Sequence, residues 1–303
     1  MKSLVVGYGS IGTRHARLLT DLGCRTAVVS KREVNFPIRY ASLRDAIQSE
    51  SPEYVVLSNE TSGHYETLTE LAATGFTGTV LVEKPLFGHF QEFPPYPFQN
   101  VFVAYNLRFH PIIQRLRNAL EGQTILSVQG YVGQYLPEWR PSTDYRTCYS
   151  ARAELGGGVL RDLSHELDYL LWILGGWRHV AAVGGHYSPL EINSDDVYSL
   201  MLVTPACPVV SLQINYLDRK GRRLLIINTV EHTYTADLVA GTLEVDKTPE
   251  VFSVDRDHTY RKMHEALISD DTSVVCSLQE GLETLRLIDA AEESAKRREW
   301  VNR

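Results

Sequence analysis

Three features of the 303-residue sequence predict an α/β protein of two domains. A short apolar run, Ser3 to Val6, leads into Gly7-Tyr8-Gly9-Ser10-Ile11-Gly12 and then a helix-period segment ending near Leu22. Short apolar strands alternate with helical segments as far as Gly122, the arrangement of a parallel, doubly wound sheet. Beyond Gly122, apolar and polar residues alternate, as from Val210 to Tyr216, with hairpin-length gaps between most runs. The fold class is therefore an N-terminal Rossmann dinucleotide-binding domain, residues 1–122, followed by a C-terminal α/β domain, residues 123–303, with a large, mostly antiparallel open sheet.

The first element carries the most specific motif. A strand, then GxGxxG, then a helix is the context in which three glycines signify a dinucleotide site. Gly7 permits the tight turn, Gly9 lets a pyrophosphate approach the backbone, and Gly12 lets helix and strand pack closely. Ser10 and Ile11 open the helix, whose free N–H groups and partial positive charge suit the phosphates. The second strand, Thr26 to Ser30, ends where an acid usually binds the ribose hydroxyls of NAD; here Ser30, Lys31 and Arg32 stand instead. A hydroxyl and two cations suit a 2′-phosphate, so NADP is favoured over NAD.

The remaining elements follow in order. A helix from Leu43 to Ser49 precedes a strand from Tyr54 to Leu57, then Asn59-Glu60-Thr61-Ser62-Gly63-His64 and a helix to Thr74. The next strand, Thr79 to Val82, runs into Glu83-Lys84-Pro85, and a fifth, Val101 to Tyr105, into Asn106-Leu107-Arg108-Phe109-His110-Pro111. In the second domain, one uninterrupted helix is expected after Gly156-Gly157-Gly158. Leu160, Leu163, Leu167, Leu170, Leu171 and Leu174 would form its buried face. Asp162, His165 and Asp168 form a polar stripe roughly opposite; it is either a solvated face or a constellation able to orient a general acid or base. Strands are expected at 125–131, 197–203, 223–227 and 232–238, and a closing helix at about 278–300.

Composition narrows the function classes. A net charge of −7 with scattered basic residues gives nucleic acid no electrostatic footprint. No stretch approaches a membrane span, so no membrane partner is expected. Cys24, Cys148, Cys207 and Cys276 show no metal spacing; no metal is expected, and reduced thiols suit a cytoplasmic protein.

With GxGxxG, Glu83-Lys84-Pro85 and the GGG–Asp–His–Asp segment in this order, the chain resembles the Gfo/Idh/MocA oxidoreductases nearly end to end. Arg108 with Pro111, and Glu280-Gly281-Leu282 followed by Ala290-Ala291 and Ser294, extend the likeness. The resemblance implies an NAD(P)-dependent dehydrogenase or reductase acting on the CH–OH group of a sugar or related polyol. A role in carbohydrate biosynthesis is suggested by the segment from Tyr105 to Pro111. Lys84 matches the family's catalytic lysine, Pro85 a proline often described as cis, and His165 the acid/base histidine. Asp162 matches the aspartate upstream of that histidine, and Asp168 the acid after it. Glu83, Lys84, Pro85, Asn59, Thr61 and His64 fall where the family lines its cofactor cleft. Arg108, Tyr135, Trp139, Arg140 and Asp168 are candidates for substrate. The resemblance also implies a homodimer, or a tetramer of dimers, through the open sheet. Two other classes exist in the family: a dinucleotide-binding regulator without turnover, and glycosidases that use a tightly held NAD.

Three departures stand out. Asp162 precedes His165 by three residues where the family has four. The segment from Leu86 to Asn100 is short and proline-bearing where the family commonly has a helix. Ser30-Lys31-Arg32 replaces the acid of NAD-preferring members.

Overall fold

Continuous apolar runs become strands buried on both faces, and this is how the first sheet forms. In a computed structural model describing residues 1–92, 95–140 and 143–303, β1 (Lys2–Val6), β2 (Arg25–Val29), β3 (Arg39–Tyr40), β4 (Tyr54–Leu57), β5 (Thr79–Val82) and β6 (Asn100–Val103) pair in parallel. Their spatial order is 3-2-1-4-5-6, the Rossmann order. Cys276–Ser277 adds an antiparallel edge strand beside β6. Helices α1 (Ser10–Asp21), α2 (Leu43–Glu50) and α3 (His64–Ala73) make the crossovers. Leu4, Val5, Val28, Val55, Val56, Val80 and Leu81 are all fully buried between the layers.

The chain divides into two units, but not where the sequence pattern alone suggests. One unit comprises 1–109 and 257–282; the other comprises 110–256 and 283–303. The boundary precedes Gly122 because helix α4 (Pro111–Leu120) packs against the helix His165–Leu174 of the second unit. Residues 257–282 return to the first unit because the helix His258–Ile268, which periodicity did not single out, packs on α1.

In the second unit, α5 (Val159–Asp162) and α6 (His165–Leu174) stand beside a nine-stranded sheet. Its main strands are β7 (Ile125–Gly133), β8 (His179–Gly185), β9 (Val197–Val203), β10 (Val210–Asn215), β11 (Arg222–Thr229), β12 (Thr233–Asp237), β13 (Thr242–Val245) and β14 (Thr248–Val251). The order is 14-13-12-11-7-10-9-8, closed by Val301–Asn302. Every pair is antiparallel except β7 with β10. One face is apolar and buried, through Val128, Leu200, Leu202, Leu212, Leu225 and Ile227, and α5 packs on it at β9 and β10. The closing helix runs from Leu278 to Arg297. Among the described residues no helix is long and apolar enough to cross a membrane.

Candidate active site

In the first unit the glycine turn is shaped by contacts that only glycine permits. Gly7 has φ +93°, and a Cβ there would stand 2.6 Å from the Asn59 nitrogen. A Cβ on Gly12 would stand 2.0 Å from the Gly7 carbonyl oxygen. At Gly9, by contrast, a Cβ would meet nothing within 4 Å, so this side of the turn is open. Gly9 is also the N-cap of α1, whose first-turn N–H groups have no side-chain cap. The turn therefore fits a pyrophosphate: closed against the protein at Gly7 and Gly12, open at Gly9, with N–H groups at Ser10, Ile11 and Gly12.

At the end of β2, Ser30 turns inward. Its hydroxyl donates to the Arg32 carbonyl at 2.8 Å and accepts the Arg32 N–H at 3.2 Å, while Lys31 and Arg32 are exposed. After β4, the Asn59 amide donates to the Thr67 hydroxyl at 3.1 Å, and Thr61 is buried. His64 departs from its expected place along a cofactor cleft. It is 1% exposed, with Nδ1 at 3.0 Å from the Leu86 carbonyl and Nε2 at 3.1 Å from that of Asn59. Burial lowers its pKa. Both ring nitrogens thus lie against backbone carbonyls of the loops that follow β4 and β5.

Glu83 also turns inward. One carboxylate oxygen lies 2.8 Å from His15 Nε2, and the other accepts the Lys84 backbone N–H at 3.1 Å. The Lys84–Pro85 bond is cis, and Lys84 is half-buried at the end of β5. Arg108, expected at substrate, is 1% exposed, and its guanidinium donates to Glu280 at 2.9 Å. Ser277 donates to the same carboxylate through its N–H and its hydroxyl, both at 2.8 Å. Arg108 thus anchors the start of the closing helix.

In the second unit the expected single helix is two. Leu163, at φ −101° and ψ 29°, ends α5, and α6 begins at His165. The polar stripe is not a solvated face: Asp162 is 4% exposed, His165 9% and Asp168 1%. Asp162 accepts from the hydroxyls of Tyr149 and Tyr216, each at 2.6 Å. Burial first, and then the Asp162 charge, push both phenols well above the usual tyrosine range, so they stay protonated donors. The shortened spacing therefore accompanies a carboxylate held between two phenols, on a different helix from His165. Glu166 is likewise buried, ion-paired with Arg223 at 2.8 Å and accepting from Tyr169 at 3.2 Å.

Among the other expected substrate residues, Trp139 lies edge-on to Tyr216 with ring centroids 5.2 Å apart. Trp139 and Arg140 line one small pocket with Leu136, Thr143, Tyr145, Cys148 and Ser150. Tyr135 stands apart from it, beneath the Arg219 guanidinium at 4.1 Å. Sequence reasoning passed over Tyr149, Tyr216, His15 and Arg223. For Tyr149, Tyr216 and Arg223 the only signal was indirect: buried carboxylates at Asp162 and Glu166, on the successive helices α5 and α6, demand donors from elsewhere in the chain.

Residues 113–235 match the model of the GFO/IDH/MocA C-terminal domain. No curated protein matches the sequence. Among solved structures, levoglucosan dehydrogenase in complex with NADH is 17% identical, with a TM-score of 0.85 over 100% of this chain and 98% of that one. GenD2 from gentamicin A biosynthesis, in complex with NAD, is 19% identical, with a TM-score of 0.80 over 100% and 96%. The WlbA dehydrogenase from Bordetella pertussis, in complex with NADH and UDP-GlcNAcA, is 19% identical, with a TM-score of 0.80 over 100% and 98%. The chain thus matches the GFO/IDH/MocA C-terminal domain over residues 113–235 and shares its fold, from end to end, with these solved structures.

Proposed function

We propose that this protein is an NAD(P)-dependent oxidoreductase that moves a hydride between nicotinamide and a sugar or sugar-derived alcohol or ketone. The observation that carries this reading is the turn closed at Gly7 and Gly12 and open at Gly9, which is shaped for a pyrophosphate. The solved structures of like fold lend weight, since they hold NAD or NADH, and one of them UDP-GlcNAcA. Two of them also favour a substrate from carbohydrate biosynthesis, GenD2 by its pathway and WlbA by its ligand. Four widely separated cysteines without metal spacing suit reduced thiols in a cytoplasmic setting.

When bound, the dinucleotide would supply the hydride acceptor or donor. The first-turn N–H groups at Ser10, Ile11 and Gly12 would hold its pyrophosphate, and Lys31 with Arg32 a 2′-phosphate. His165 would take the hydroxyl proton of the alcohol, because an imidazole is the side chain suited to do so near neutrality. Lys84 would steady the negative charge that develops on that oxygen. Asp162 would act at one remove, by fixing Tyr149 and Tyr216 around the start of the helix pair.

The test is a panel of sugars and nucleotide sugars, screened with both cofactors for change in nicotinamide absorbance. Once a substrate is found, His165→Ala and Lys84→Ala should each slow turnover by about 10²–10⁴-fold with dinucleotide affinity unchanged. Asp162→Asn should do less. Full activity in either alanine variant sinks the mechanism, and binding of dinucleotide with no turnover across the panel would favour a regulator.

A further inference from the structure

Four buried polar side chains in the first unit form a single hydrogen-bonded line. Glu83 Oε1 lies 2.8 Å from His15 Nε2, His15 Nδ1 lies 2.8 Å from His264 Nε2, and His264 Nδ1 lies 2.9 Å from the Tyr54 hydroxyl. Exposure is 6% for Glu83, 0% for both histidines and 1% for Tyr54. The four come from the end of β5, α1, the helix His258–Ile268 and the start of β4. Tyr54 is level with Thr79 in the sheet, and Leu57 with Val82, so the line runs the length of the strands, from their N-terminal ends to the turn that carries Lys84.

Such a line is costly to bury unless every donor meets an acceptor, and apolar residues would fill the same space with no such demand. Its outlet explains it. The Glu83 oxygen that His15 does not hold accepts the Lys84 N–H at 3.1 Å. We propose that Tyr54, His264 and His15 are positioning residues that fix the Glu83 carboxylate, and through it the backbone of Lys84. This rests on the reading of Lys84 as a catalytic residue.

With Glu83 ionised and His15 neutral, the line has one proton order. A carboxylate only accepts, so His15 presents Nε2–H to Glu83. A neutral imidazole has one N–H, so His15 Nδ1 accepts from His264 Nε2–H, and His264 Nδ1 accepts from Tyr54. Burial holds the His264 pKa well below its usual value, which keeps that ring neutral. Every donor points toward Glu83. Tyr260 lies edge-on to His15 at 5.5 Å, with the Arg14 guanidinium 5.1 Å over its ring, and seals the line from the other side.

Imidazole nitrogen spectra of the whole protein test this directly, with no substrate needed. Both His15 and His264 should show the Nε2–H tautomer. Tyr54→Phe keeps the ring packing and removes the last donor; it should shift the nitrogen signals of His15 as well as His264, although Tyr54 does not bond His15. Exchange of the Lys84 amide should quicken roughly tenfold in His15→Leu, the change that loss of about one hydrogen bond produces, and return toward native in His15→Gln, whose amide can donate to Glu83. Turnover should fall in the leucine variant and recover in the glutamine one. An Nδ1–H tautomer or a doubly protonated ring at His15 overturns the proposal, as does a Tyr54→Phe spectrum altered at His264 alone. If His15→Leu does not fold, the Tyr54→Phe spectrum decides. A native protein without dehydrogenase activity defeats the functional reading but leaves the spectra and the amide exchange to judge the line.

Discussion

At the residue scale, the proposed preference for NADP rests on the turn after β2. Ser30 bonds the Arg32 backbone in both directions, which fixes the turn and leaves Lys31 and Arg32 exposed. Replacing Arg32 by alanine should weaken NADP binding by roughly 1–3 kcal/mol and leave NAD nearly unchanged. Calorimetric titration of each dinucleotide measures this, and equal losses for both, or tighter binding of NAD by the native protein, would contradict it. Backbone features local to the chain were legible beforehand: the tight turn at Gly7 and the close packing at Gly12 from the glycine motif, and the cis bond before Pro85 from the family resemblance. Residues whose role depends on a distant partner were not. Arg108 looked like a ligand-binding cation until Glu280, 172 positions away, took its guanidinium. His64 looked like a cleft residue until two carbonyls closed on its ring. A sequence shows the type of a side chain, but the partner that satisfies it is set by tertiary packing.

At the scale of elements, periodicity found the long segments and missed the interruption that matters. Leu160, Leu163, Leu167, Leu170, Leu171 and Leu174 are all buried, as a single helix would place them, yet α5 ends at Asp162 and α6 starts at His165. Neither glycine nor proline marks the break, so the apolar pattern reads straight across it. Strands of two residues, such as Arg39–Tyr40 and Cys276–Ser277, are too short to show any period. The start of α5 is held by Asp195, whose carbonyl takes the Val159 N–H at 3.1 Å and whose carboxylate takes that of Leu160 at 3.3 Å. Gly158 makes room for this. Its φ is +125°, and a Cβ would stand 2.2 Å from the Asp195 carboxylate. Gly158→Ala should therefore cost about 1–3 kcal/mol through strain, before the displaced cap is counted. Denaturant unfolding measures it, and an unchanged midpoint would show that the turn tolerates a side chain.

At the scale of the whole molecule, the α/β class, a parallel first sheet and a mostly antiparallel second one followed from the pattern of strands and helices, whereas the strand order did not. Nor did the return of residues 257–282 to the first unit, because no local pattern reports which sheet a distant helix will join. The second sheet carries the remaining expectation. Its register sets Ala181, Met201, Ser211, Gln129, Ile226, Thr235 and Glu244 side by side on the face opposite the buried core. Met201 is 53% exposed, Ile226 36%, and Val183 in the adjoining row 72%. A sheet face with apolar residues spread among polar ones is wet enough to fold alone and apolar enough to pair. A stable dimer through it would need to bury roughly 800 Å² per partner, the size typical of such interfaces. The native protein should therefore sediment as a dimer, or as a tetramer of dimers, at micromolar concentration. Replacing Met201 and Ile226 together by glutamate should give a monomer, because four carboxylates would face one another without partners across a two-fold interface. The same variant should keep its dinucleotide affinity, since the glycine turn belongs to the other unit. A native protein that sediments as a single monomeric species removes this assignment of the sheet face, whatever the glutamate variant does.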